Sequence, residues 1–167
     1  MNISFRFIFL CHLVISILPY SGNSQNTEKI IFNSNDSAND YYLAIRPLSG
    51  NIKGAQVLLA SFMSPEFILS ESKLQNVAYG NDLLTVVASM GPELSADSTS
   101  VNRINAILKN VTRHYSVDTS GFAIGALGYT GNIILRYTEM CYENPGLFPL
   151  LPKAVFAINC PVDLPAL

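Results

Sequence analysis

Tryptophan is absent from these 167 residues, histidine occurs twice, and charged side chains make up only 13% of the chain. Each scarcity excludes something. The ten Lys and Arg residues are scattered and the formal net charge is −2, so there is no basic patch to hold a phosphate backbone and no nucleic-acid partner is expected. Cysteine occurs three times, at Cys11, Cys141 and Cys160, with no CxxC pair. With histidine this sparse, neither a metal centre nor a cofactor is expected. The apolar run nearest the N-terminus, Phe7–Leu18, falls short of the ~20 residues that cross a bilayer, so no stable membrane span is expected.

That run has another use. Met1–Arg6 carries one positive charge, Phe7–Leu18 is apolar, and Pro19–Ser24 is polar with small residues. This is the order of a secretory signal peptide, with Gly22 and Ser24 small enough for the cleavage site and Gln25 as the mature start. Residues 1–24 are therefore expected to be a leader. The protein is expected to be exported, either secreted or held in the periplasm or cell envelope. Cys11 lies inside the apolar run and not after a small residue at its end, which argues against lipid modification. Without the leader, Cys141 and Cys160 remain, compatible with one disulfide or with two buried thiols. The second reading is favoured. Sequons at Asn35 and Asn110 have meaning only in a eukaryotic secretory route.

What is abundant is hydrophobicity, at 49% of residues, enough for one domain over 25–167 with a substantial core. KIIFN and YYLAIRP flank the turn-forming SNDSAND and predict an antiparallel hairpin. Four near-continuous apolar runs follow: AQVLLAS (Ala55–Ser61), LLTVVAS (Leu83–Ser89), FAIGAL (Phe122–Leu127) and AVFAIN (Ala154–Asn159). Runs this short and without alternation predict strands of a parallel sheet, buried on both faces. Helical segments are predicted between them. Pro65–Tyr79 has Ser64 as N-cap and proline at its first position. Ser100–Tyr115 repeats Val101, Ile104, Ile107, Leu108, Val111 and Tyr115 at helical spacing. Gly131–Tyr142 aligns Ile134, Leu135, Thr138 and Cys141. The alternation predicts an α/β fold, a mostly parallel sheet with flanking helices and an N-terminal hairpin.

In such a sheet, chemistry sits where strands give way to helix N-termini. Two of these loops are SFMSPEF, after Ala55–Ser61, and the turn within FAIGALGYTGNIILRY. With the hairpin, the strand LLTVVAS and the helix NRINAILKNVTRHYSVD, they follow one another in an order that resembles the α/β-hydrolase family, particularly its secreted bacterial esterase-like members. The resemblance runs over essentially all of the exported chain and roughly the first half to two-thirds of the family's fold.

The resemblance implies an elbow of pattern G-x-S-x-G, whose serine stands on a strained strand-to-helix turn. Laid on this sequence, the five positions are Ala126, Leu127, Gly128, Tyr129 and Thr130, with Gly131 next. Gly128 takes the nucleophile's place and has no side chain with which to attack. The implied triad partners are missing too. His114 precedes the elbow at a helix end, and Asp163, after the last strand, has no histidine downstream to orient. Among other hydroxyls and thiols, Thr130, Ser61, Ser64 and Cys141 have no evident base beside them.

The expectation is therefore a protein of esterase ancestry that is inactive as a serine hydrolase. A non-enzymatic ligand- or protein-binding module is the alternative. The binding residues expected in the strand-end crevice are Phe62, Met63, Gly128 and Tyr129, with the Phe62 and Tyr129 N–H groups facing a small-molecule or peptide ligand. The family's later strand–helix units have no counterpart before Leu167. A shortened reading frame and a partner segment that completes the sheet both fit.

Overall fold

A computed structural model describes residues 25–91, 96–118 and 120–160; the expected leader and Asp163 lie outside them. Six strands form one sheet: β1 (Thr27–Ile31), β2 (Tyr41–Ile45), β3 (Gly54–Ala60), β4 (Leu83–Ser89), β5 (Phe122–Leu127) and β6 (Ala154–Ile158). Their order is β1-β2-β4-β3-β5-β6. β1 pairs antiparallel with β2 and β2 antiparallel with β4, while β4, β3, β5 and β6 run parallel. Four α-helices accompany them: α1 (Pro65–Glu71), α2 (Leu74–Gly80), α3 (Ser98–Tyr115) and α4 (Thr130–Glu143). Among the described residues no helix is long and apolar enough to cross a membrane.

The sheet's two faces are unequally covered. Alternate side chains of β3, Ala55, Val57 and Leu59, point into the main core with Leu84, Val86, Ile124 and Ala126, against α3 and α4. All six α3 positions predicted from periodicity are buried there. The opposite face holds a small cluster of Leu58, Ala60, Ile68 and Val87, covered by the short helices α1 and α2.

Three expectations need correction. Pro65–Tyr79 is not one helix. Ser72 turns to extended backbone, its N–H bonds to Ile68 O, and its hydroxyl accepts from Leu74 N–H, which restarts the chain as α2. In α4 the buried stripe is Thr130, Ile133, Ile134, Tyr137 and Cys141, while Leu135 is exposed. The run AVFAI is not buried on both faces, because β6 is the outermost strand and α1 and α2 lie over the opposite half of the sheet.

A polar cluster ties the hairpin to the C-terminal end of α3. Tyr115 Oη donates to Glu28 at 2.8 Å, and Arg46 Nε approaches the same carboxylate at 3.3 Å. The Tyr115 hydrogen bond holds the Glu28 carboxyl below the usual glutamate range; burial opposes it and Arg46 adds to it. A carboxylate depressed in the folded state contributes stability that is whole above its unfolded pKa and fades as pH falls through the folded one. Tyr115→Phe is therefore expected to destabilise the protein at neutral pH, with the gap to the parent narrowing in acid. Urea unfolding at a series of pH values measures it; a gap that widens in acid contradicts the assignment.

Candidate functional site

The crevice follows from the order in which the chain fills the sheet. From β3 the chain crosses by α1 and α2 to β4 on one side, and from β4 it crosses by α3 to β5 on the other. Right-handed crossovers in opposite directions put their helices on opposite faces. The loop after β3 therefore leaves toward α1 and the loop after β5 toward α4, although β3 and β5 are hydrogen-bonded neighbours. Where neighbouring loops part in this way, an open α/β sheet has its binding crevice.

Gly128 stands at the apex of the β5–α4 turn with φ +60°. Its N–H donates to Ile158 O at 2.9 Å and its carbonyl accepts from Gly131 N–H at 3.0 Å. Tyr129 is already in the helical region, at φ −59° and ψ −26°. A Cβ at position 128 would meet no heavy atom within 4 Å. The turn thus has a left-handed apex and an open space above it, with only a hydrogen there.

Gly131 has a different reason to be glycine. A Cβ there would lie 2.5 Å from Cys160 Sγ, 2.8 Å from Cys160 Cβ and 3.0 Å from Ala157 Cβ. The missing side chain lets α4 sit against the end of β6. In the elbow pattern the last glycine falls at the position of Thr130; here the close approach is made one residue later.

Thr130 is fully buried, and its Oγ1 lies 2.7 Å from Ser61 Oγ. This hydroxyl pair joins the loop after β3 to the first residue of α4. Among the described residues neither hydroxyl is hydrogen-bonded to an imidazole or carboxylate, so neither has a base to activate it. Ser64 is the N-cap of α1, its Oγ accepting from Phe67 N–H at 3.2 Å.

The four expected site residues come together. Phe62, Met63 and Gly128 line a cavity of about 290 Å³ with Ala60, Ser61 and Asn159. Tyr129 stands at its rim, its ring edge-to-face with Phe62 at 6.5 Å. Both rings are well exposed, Phe62 at 72% and Tyr129 at 55%. Among the described residues no acceptor pairs with the N–H of Phe62 or Tyr129. Two donors are thus available at the loop ends, beside the positive end of α4. An apolar cleft of about 190 Å³ continues from the cavity beneath α1, between Leu58, Phe67, Leu74, Leu127 and Phe156.

Two features of this site have no local signature in the sequence. Ser61 and Thr130 are 69 residues apart, and the cleft beneath α1 depends on helix placement. Only the small residues at both loop ends hint that the loops approach.

The remaining candidates lie elsewhere. His114 is exposed in the last turn of α3. That helix leads from the carboxyl ends of the strands back to their amino ends, so His114 is roughly 25 Å along the helix from the crevice side. Cys141 is buried late in α4, where burial pushes its thiol up. Cys160, half-buried, donates to Asn132 Oδ1 at 3.1 Å. Cys141 is a free thiol. Among the described residues no three His, Cys, Asp or Glu side chains converge as metal ligands.

No family model matches the chain, and no curated protein matches it. Solved structures do. A thermophilic carboxylesterase cloned from a metagenomic library matches with a TM-score of 0.62 at 15% identity, over 85% of this chain and 49% of its own. The Francisella virulence factor BioJ matches with a TM-score of 0.59 at 18% identity, over 96% of this chain and 51% of its own. An S-formylglutathione hydrolase from Agrobacterium tumefaciens matches with a TM-score of 0.56 at 11% identity, over 80% of this chain and 60% of its own. These are α/β-hydrolases, and this chain shares their fold. It spans about half the length of the solved structures it matches.

Proposed function

We propose that this chain is an exported protein of esterase ancestry whose strand-end crevice binds a ligand and does not hydrolyse it. The observation that carries the proposal is Gly128, a left-handed apex with open space where a nucleophile's side chain would project. Acyl transfer through a covalent intermediate needs an atom there that can attack, and glycine has none. Losing the nucleophile of a triad costs on the order of a million-fold in rate.

What the crevice keeps is recognition. The N–H groups of Phe62 and Tyr129, which have no acceptor among the described residues, favour a carbonyl or carboxylate oxygen, and the two aromatic rings at the rim favour an apolar or aromatic neighbour to it. These features serve a dedicated binding module equally well. Export rests on the order of charge, apolar run and small residues in Met1–Ser24.

Ester turnover tests the proposal. The purified chain is expected to leave short-chain aryl esters unhydrolysed. Gly128→Ser is expected to stay inactive as well, since a serine there still has no base beside it. Turnover by the parent that survives Gly128→Ala and is blocked by a serine-directed inhibitor would overturn the reading.

A further inference from the structure

The 2.7 Å contact between Ser61 Oγ and Thr130 Oγ1 has a direction, although either oxygen is chemically able to donate. Thr130 is fully buried and has no other hydrogen-bond partner among the described residues. If Ser61 donated, the Thr130 hydrogen would be buried without an acceptor, at the full cost of its desolvation. Thr130 therefore donates and Ser61 accepts. Ser61 is half-buried and lines the cavity beside Phe62, Met63 and Gly128, so its own hydrogen is left for that cavity.

We infer that Ser61 is a specificity-determining donor, and that the site takes the carboxylate of an unbranched fatty acid whose chain lies in the cleft beneath α1. The inference rests on the reading of this crevice as a binding site. With the N–H groups of Phe62 and Tyr129, which have no acceptor among the described residues, Ser61 makes three donors around one cavity. An ester or amide carbonyl has one oxygen with two lone pairs, so one of the three donors is left over. A carboxylate has two oxygens with about four lone-pair sites, and hydrogen bonds to it are charge-assisted. Among the described residues no acidic side chain lines this cavity. The N-terminal end of the 14-residue α4 adds a potential that favours an anion.

The cleft decides the rest of the ligand. Leu58, Phe67, Leu74, Leu127 and Phe156 line it, and the polar side chains on it, Glu71 and Ser72, stand where α1 ends. α1 starts just after Met63 at the cavity, and its seven residues run about 10 Å. A ligand held at Ser61 therefore passes along an apolar slot and meets a carboxylate at its far mouth. An alkyl chain suits that order. A tail bearing hydroxyls has no partners along the slot, and one ending in a second carboxylate meets Glu71.

Isothermal titration calorimetry of the purified chain with sodium octanoate tests this. Saturable one-site binding is expected, about tenfold or more tighter than octanamide. From butanoate to octanoate it should tighten roughly threefold per methylene, and octanedioate should bind more weakly than octanoate. Ser61→Ala should weaken octanoate about tenfold and change octanamide little, with the circular dichroism spectrum unchanged. Leu74→Asp, at a partly exposed position on the cleft, should flatten the chain-length series. No binding of octanoate by the folded chain would overturn the inference. So would octanamide equal to octanoate, octanedioate binding as well as octanoate, indifference to Ser61→Ala, or a chain-length series that is flat in the parent or unmoved by Leu74→Asp. Carboxylates have no acyl bond to hydrolyse, so ester turnover by the parent would sink the proposed function and leave this test standing.

Discussion

Replacing Arg103 by alanine is expected to cost about 3 kcal/mol of stability, the low end for breaking a buried ion pair, and to lower the melting temperature by roughly 10 °C. Arg103 reaches from α3 to the end of the hairpin turn. Its Nη2 lies 2.6 Å from Asp40 Oδ1, 2.6 Å from Asn39 O and 3.3 Å from Ser89 O. Asp40 is buried, and its second carboxylate oxygen accepts from Asn33 Nδ2 at 2.7 Å. Without the guanidinium, that carboxylate keeps one hydrogen bond and loses its counter-charge in a place where water reaches it poorly. The cost comes from the charge left behind. Arg103→Met combined with Asp40→Asn should therefore be less destabilising than Arg103→Met alone. Chemical unfolding of the four proteins in that cycle measures it. Additive effects would mean that the two side chains do not act as a pair.

The second large effect is expected at Gly131, not at Gly128. Valine at 131 must place its Cβ against Cys160 and Ala157. The atoms it meets are Cβ atoms and a short thiol, which cannot swing aside without moving β6 or α4. Overpacking of this kind costs typically ~1–3 kcal/mol, and a branched side chain belongs at the upper end. Cys160→Ala should recover part of the loss, because it removes the closest atom. At Gly128 an alanine meets nothing within 4 Å. It carries only the left-handed backbone penalty, ~1–2 kcal/mol. Thermal unfolding of Gly131→Val, Gly131→Val with Cys160→Ala, and Gly128→Ala gives the ranking. If Gly128→Ala proved the most damaging of the three, the packing account of Gly131 would fail.

Much of this architecture was legible because it is periodic or capped. The α3 stripe from Val101 to Tyr115 repeats over an 18-residue helix, long enough that no other phase fits it. Ser64 and Pro65 mark the start of α1 by chemistry that belongs to that position alone. The order of the elements predicts a tight turn at Gly128, where the backbone is left-handed, φ +60°.

What escaped was set by distant contacts. In IILRY of α4, Leu135 competes with Ile133 and Tyr137 for the buried face, and so short an apolar stretch does not fix the phase. Tyr137 takes it, with its hydroxyl donating to Leu150 O at 3.1 Å. AVFAI reads the same in the centre of a sheet as at its edge, since apolarity carries no information on strand order. The break at Ser72 needs only one residue to leave helical backbone, which propensity over fifteen residues averages away.

The Ser61–Thr130 hydroxyl pair has a mechanical consequence. The two loops it joins leave for opposite faces of the sheet, so the pair works as a clasp that holds them together. Thr130 is rooted in the buried start of α4, and Ser61 follows directly on the central strand β3. A ligand of the proposed kind, arriving at Phe62 and Tyr129, would meet a floor already tied together, with two exposed rings at its rim.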